Sequence, residues 1–135
     1  MTEQKLKPRL TAAVLVQKDD KFLLAERNKV NANGMWIIPG GGVKFGETTE
    51  QAAIREIKEE TNLEVHIKKF IGFNEVINVP GNYHSIVFFY LAEPKHDNIQ
   101  AKEDVSQAQY FTIDEIKKLN IVKSVEWALR EASFW

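Results

Sequence analysis

The sequence predicts an α/β or α+β domain, a central β-structure flanked by helices. Three observations lead there. The run Ile86-Val87-Phe88-Phe89-Tyr90-Leu91 has the length and the β-branched and aromatic content of a buried strand. Leu10 to Val16 and Phe22 to Ala25 read as short strands joined by the polar turn Lys18-Asp19-Asp20-Lys21. Thr49 to Thr61 reads as a helix, opened by a Thr48/Gln51 capping box and closed by Asn62, which tolerates the left-handed conformation.

The remaining elements follow in order. Asn28 to Gly34 is polar and loop-like, and Met35 to Ile38 is a short apolar stretch. Pro39-Gly40-Gly41-Gly42 is expected to break any regular element. Glu64 to Val79 is β-rich, and Pro80-Gly81-Asn82 signals a turn before the strand His84 to Ala92. Tyr110-Phe111 reads as a final short strand. Thr112 and Glu115 form a second capping box before Ile116 to Leu119, and Val122 to Ala132 is helical. No repeat or Ser/Gly-rich linker divides the chain, so a single domain over residues 1–135 is expected.

Composition narrows the function. Hydrophobic residues are 44% and charged residues 27%, as in a soluble globular protein. Lys plus Arg number 18 against 19 Asp plus Glu, so no global field draws the chain to nucleic acid or anionic membrane. The lack of cysteine excludes disulfides, thiolate metal sites and a cysteine nucleophile. The apolar run Ala12 to Val16 is too short for a signal core or a membrane span, and a cytoplasmic address is the simplest expectation.

The chemistry concentrates between Gly41 and Leu63. On a 100° wheel with Glu56 at zero, Glu60 falls at about 40° and Glu59 at about 300°. The three carboxylates form one patch beside an apolar face of Ala53, Ile57 and Ile54, with Thr49 and Ala52 as small neighbours. Without a cation the patch is unfavourable. Glu56 and Glu60 are a like-charge i,i+4 pair, and Glu59 and Glu60 sit at the negative end of the helix dipole. Arg55 relieves part of this through an i,i+4 contact with Glu59, and a divalent cation would relieve more. Mg²⁺ suits such oxygen ligands and commonly bridges carboxylates to substrate phosphates. Taken alone, a Glu-rich helix is an ordinary solvated surface and three glycines an ordinary turn. The glycines lack the GK[ST] ending of a Walker A loop, so a P-loop is rejected.

Taken together the spacing is far more specific. Gly41, five residues, Glu47, seven residues, then Arg55-Glu56-Ile57-Lys58-Glu59-Glu60-Thr61-Asn62-Leu63 resembles the Nudix box GX5EX7REUXEEXGU, where U is aliphatic. The one departure is Asn62 in place of glycine, which leaves the carboxylates untouched. The box covers 23 of 135 positions, and Gly34-Met35-Trp36-Ile37-Ile38-Pro39-Gly40-Gly41 leading into it also looks like the family.

The resemblance implies a Nudix-type α/β/α sandwich with a mixed sheet, whose loop–helix–loop cradles metal and diphosphate. It implies a Mg²⁺-dependent hydrolase, with Mn²⁺ as a substitute, in which a metal-activated water attacks phosphorus. By the same resemblance Glu56, Glu59 and Glu60 bind metal and Arg55 orients one of them. Gly40 matches the position whose carbonyl also reaches a metal, and Gly41 and Glu47 support the loop, Glu47 or else an additional ion. The general base differs among Nudix enzymes; Glu56 and Glu59 are the box candidates. Asp104 is the candidate outside it, because Glu103-Asp104-Val105 resembles the acidic segment before the family's last strand.

The implied substrate is a small nucleotide with a diphosphate linking a nucleoside to a second group, ADP-ribose or a nucleotide sugar. Pro80 leans the same way, lying one residue beyond the usual place of a proline in some ADP-ribose-cleaving members. Hydrolysis of a nucleoside triphosphate is the alternative within the class. A non-hydrolytic nucleotide-sensing module is the alternative outside it, and isomerisation on the same fold would want a cysteine. Base and second-group contacts are expected from Lys29, Asn31, Asn33, Asn78, Asn82 and Tyr83 in two polar loops. His66, His84 and His96 lack close metal-ligand spacing, and Trp36 reads as core packing. Phe134 and Trp135 either close the core or meet a second subunit in a homodimer.

Overall fold

The computed structural model describes residues 6–28 and 34–135. Its centre is β1 (Arg9–Lys18), whose side chains are buried from Thr11 through Val16. Such a continuous run marks a strand covered on both faces. Ala12, Val14 and Val16 point to one face, where they meet Ala52, Ala53 and Ile57. Ala13 and Leu15 point to the other, where they join Phe89, Val125, Ala128 and Leu129. The period-two alternation of one strand thus seats a helix on each side of the sheet.

β1 turns into β2 (Lys21–Arg27), which pairs with both β3 (Trp36–Ile37) and β7 (Val105–Thr112). On its other flank β1 runs parallel to β6 (Tyr83–Pro94), and β6 pairs antiparallel with the long strand β5 (Val65–Asn78) at the end of the order β3-β2-β1-β6-β5. The sheet is therefore mixed, as expected. The helices α1 (Thr49–Thr61), α2 (Ile113–Ile116) and α3 (Lys123–Glu131) complete an α/β/α sandwich. Among the described residues no helix is long and apolar enough to cross a membrane.

Local chemistry sets the ends of α1. The Thr48 hydroxyl accepts the Gln51 N–H at 3.0 Å, and the Gln51 side chain accepts the Thr48 N–H at 2.9 Å. Asn62 ends the helix at φ 69°, in the left-handed region. Thr112 and Glu115 repeat the capping box at α2.

Several expectations are corrected. Pro39 to Gly42 does not simply interrupt the chain, because Gly40–Gly42 forms a strand, β4, paired antiparallel with Thr11 to Ala13. Glycine is required at Gly40, where a Cβ would run into the backbone of Ala12 and Ala13. The final strand extends from Tyr110-Phe111 back to Val105, because pairing with the whole of β2 supports it. Ile54 is exposed rather than part of the core-facing stripe; the buried residues of α1 are Ala52, Ala53 and Ile57 with the polar Glu60 and Thr61. Within the apolar run of β6, Phe89 and Leu91 are buried but Phe88 and Tyr90 only partly so, since one helix does not span that face.

The core aromatics behave as core. Trp36 is buried and meets Phe111 edge-on at 4.9 Å between ring centroids. Phe134 packs on Phe22 at 4.7 Å, and Trp135 joins the same cluster, so the chain's last residues close the core.

Candidate active site

The site forms where the C-terminal half of α1 meets the glycine strand β4. Glu60 is 5% exposed, and its Oε1 accepts the Gly40 N–H at 3.0 Å. Burial pushes its carboxyl up to about 8, and the nearby charges of Glu56 and Asp104 push the same way. Arg27 and the Gly40 hydrogen bond oppose this, less strongly than burial acts.

Gly41 lies next to Glu56. A Cβ built on Gly41 would overlap the Glu56 carboxyl, so only glycine leaves that carboxylate its place. Small backbone thus sits where the wheel placed the acidic patch, as the close approach of loop to helix requires.

Arg55 binds these elements together. Its Nε and Nη2 donate to the two oxygens of Glu47 at 2.7 and 2.9 Å. Its Nη1 donates to Glu56 Oε2 at 2.9 Å and to Glu59 Oε1 at 3.0 Å, and Nη2 also reaches the Gly42 carbonyl at 2.9 Å. One planar guanidinium therefore touches three carboxylates and a strand, where the sequence suggested a single partner. These contacts, with Glu47 foremost, raise the Arg55 pKa further above its ordinary value. In return Arg55, with the Lys44 N–H, holds the Glu47 carboxyl down at about 2. Glu47 Oε1 accepts that Lys44 N–H at 2.9 Å, which ties the loop between β4 and α1 to the helix.

Asp104 lies outside the box in sequence but beside it in space, since its charge acts on Glu60. The pairing of β2 with β7 brings it there, with Asp104 Oδ2 3.2 Å from Arg27 Nη1. Arg27 was not singled out from the sequence. It ends β2 just before a polar loop, and no spacing rule marks it. Of the residues expected to contact base or second group, Lys29, Asn31 and Asn33 lie outside the described residues. Asn78 folds back on its turn and accepts the Gly81 N–H at 3.2 Å, and Tyr83 lies under the Arg9 guanidinium at 5.9 Å.

Among the described residues no three His, Asp or Glu side chains are gathered tightly enough to hold a metal ion as they stand. The positive charge between Glu56 and Glu59 is that of Arg55. The donors nevertheless fit a hard divalent cation. They are all oxygen, and Glu60 is a buried carboxylate whose raised pKa marks a shortage of compensating positive charge.

The comparisons agree with this geometry. The family model described as NUDIX domain matches residues 7–130. An ADP-ribose pyrophosphatase of Methanocaldococcus jannaschii is 32% identical over 84% of this chain and 68% of its own. The NAD-capped RNA hydrolase NudC of Edwardsiella ictaluri is 31% identical over 96% of this chain, which spans only 49% of that relative. In fold, a MutT NUDIX hydrolase from Burkholderia pseudomallei superposes with a TM-score of 0.85 at 24% identity, covering 93% of this chain and 98% of the other. A complete acidic box, a glycine strand fitted against its carboxylates and a family match over nearly the whole sequence lead to one conclusion: the chain belongs to the Nudix hydrolase family.

Proposed function

We propose that the chain hydrolyses a diphosphate linkage between a nucleoside and a second group, with ADP-ribose as the favoured substrate. The observation that carries the reading is the seating of Glu56 and Glu60 against Gly41 and Gly40. Carboxylates held beside bare backbone leave room for an anionic diphosphate once a cation compensates their charge. The relative named ADP-ribose pyrophosphatase supports the choice of substrate.

In this reading Glu56, Glu59 and Glu60 hold a divalent cation, Mg²⁺ or Mn²⁺, together with the Gly40 carbonyl. Bound there, the cation supplies neutralisation of the diphosphate charge and activation of the attacking water. Arg55 fixes Glu56 and Glu59 through its Nη1, with Glu56 against Gly41 of the glycine strand. Because Arg55 occupies Glu56 Oε2, Oε1 remains to take the proton of the water. Asp104, held by Arg27 at 3.2 Å, is the second candidate for that role. Glu47 fixes the loop and stays ionised.

A hydrolysis screen with Mg²⁺ across ADP-ribose, nucleotide sugars, dinucleoside polyphosphates and nucleoside triphosphates tests the proposal. AMP released from ADP-ribose at the highest kcat/KM is the expected result. A clear preference for a triphosphate would overturn the substrate. Nucleotide binding without turnover of any compound would make the chain a sensing module instead.

A further inference from the structure

We infer, on the reading that the chain cuts a nucleotide diphosphate, that Arg9 and Tyr83 clamp the substrate's nucleobase over the hydroxyls of Thr11 and Ser85. The acidic box supplies metal and diphosphate contacts but no base readout, and this corner of the sheet supplies one.

Strand register builds the subsite. β1 runs parallel to β6 with Arg9 opposite Ser85 and Thr11 opposite Val87. Arg9, Thr11, Tyr83 and Ser85 therefore share one face, the face that Ala13, Leu15 and Phe89 continue toward α3. The same diagonal step links Thr11 to Ser85 and Arg9 to Tyr83, so the two pairs are successive rungs. Thr11 Oγ1 and Ser85 Oγ lie 2.7 Å apart, and the Arg9 guanidinium stands over the Tyr83 ring at 5.9 Å from its centroid.

Both rungs leave recognition chemistry unused. Thr11 is 6% and Ser85 0% exposed. Their mutual bond consumes one hydroxyl proton, and among the described residues the other finds no acceptor. A buried donor without an acceptor is costly, and a ring nitrogen or carbonyl oxygen of a base would supply one. Arg9 and Tyr83 make no hydrogen bond or ion pair among the described residues, so both are free to part. A base between them needs two stacking distances of about 3.4 Å each, so the pair has to open by about 1 Å. Guanidinium and phenol both stack on bases, and a purine covers the two more fully than a pyrimidine does.

The clamp adjoins the diphosphate seat. A Cβ on Gly42 would stand 3.4 Å from Arg9 Nη2, so the guanidinium lies against the glycine strand, while Gly41 meets Glu56 on the other face. Among the described residues β4 pairs only with β1. A nucleotide can therefore pass its outer edge with the phosphates toward Glu56 and the base on Arg9.

AMP and UMP hold no diphosphate to cut, so titrating each into the full chain with Mg²⁺, followed by backbone amide NMR, tests the clamp without turnover. The expected shifts concentrate at residues 9–11 and 83–85, with AMP bound about fivefold more tightly than UMP. Arg9→Ala and Tyr83→Leu should each weaken AMP by about tenfold and shrink its preference over UMP, whereas Tyr83→Phe keeps the ring and should stay within a few-fold of the parent. Arg9 is exposed and Tyr83 36% exposed, so these changes leave the core intact. With ADP-ribose as substrate, Arg9→Ala and Tyr83→Leu should act on KM more than on kcat. AMP shifts confined to other residues would overturn the clamp. Equal weakening of AMP, UMP and inorganic phosphate by Arg9→Ala would also overturn it and make Arg9 a phosphate contact. Turnover of ADP-ribose with a parent-like KM in Tyr83→Leu would overturn the clamp and leave the hydrolysis standing. The expected AMP pattern without turnover of any diphosphate would support the clamp and overturn the hydrolase reading instead.

Discussion

Gly41 lies so close to Glu56 that a Cβ at position 41 would occupy the space of the carboxyl group, whereas a Cβ at Gly40 would meet the backbone of β1. The two neighbouring glycines are therefore required for different reasons. Gly41→Ala displaces only the far end of a flexible side chain, so it should melt within about 1 kcal/mol of the parent yet lose most of its turnover. Gly40→Ala has nothing flexible to push aside, and overpacking against backbone should destabilise by about 1–3 kcal/mol or more. Thermal melts with kinetics on the same samples separate the two effects. Equal loss of stability in both variants would defeat the distinction.

Arg55 is the next test, because its planar fork meets Glu47, Glu56, Glu59 and the Gly42 carbonyl at once. Lysine keeps the charge but offers a single ammonium in place of the fork. Arg55→Lys should lower kcat by about 10–100-fold, the range seen when groups that orient metal ligands are lost. The apparent affinity for Mg²⁺ should fall with it, while KM for the nucleotide changes little. Parent-like Mg²⁺ dependence in Arg55→Lys would remove Arg55 from this positioning role.

How much of this was legible beforehand follows the range of the interactions. The bounds of α1 rest on Thr48, Gln51 and Asn62, all within or next to the helix, and these were readable from the residues alone. β4 was not, since glycines carry no strand signal and its existence depends on pairing with Thr11 to Ala13, far earlier in the chain. Ile54 was placed on the apolar face because a wheel shows direction but not the width of the partner surface. The contact between Arg27 and Asp104 depends on the pairing of β2 with β7, so nothing local could announce it. The resemblance of Glu103-Asp104-Val105 to the family's acidic segment pointed to Asp104, whereas Arg27 needed the structure.

Asn62 combines two roles that a substitution can separate. Its backbone is left-handed at φ 69°, which glycine adopts more easily. Its side chain, however, donates to the Asn98 carbonyl at 3.0 Å and accepts from Lys102 Nζ at 3.3 Å. Asn62→Gly gains backbone ease and loses these tethers, each worth about 1 kcal/mol at most. The expected net change in stability is within about 1 kcal/mol of zero, with faster amide exchange at residues 98–104. Unchanged exchange there, measured by NMR or mass spectrometry, would count against the tether.

Glu60 makes the pH dependence of the metal-free protein a measurable consequence of burial. Its carboxyl is raised from an ordinary 4.5 to about 8, mainly by burial. Between those values the unfolded chain has released the proton while the folded chain still holds it. The native state therefore binds more protons there, and stability falls as pH rises. Below about 4.5 both states are protonated and Glu60 imposes no penalty; above about 8 both are ionised and the penalty is complete. Glu60→Gln retains an acceptor for the Gly40 N–H but cannot ionise. Comparing the two proteins in chelator cancels the other titrating groups. The melting temperature of the parent should fall progressively below that of Glu60→Gln from pH 5 to 8, and the gap should level off above pH 8. Saturating Mg²⁺ should narrow that gap, because a cation bound by the ionised carboxylate stabilises the native state of the parent. A gap that stays constant from pH 5 to 8.5 would mean that Glu60 titrates like an ordinary carboxyl, and its burial against Gly40 would then not govern its charge.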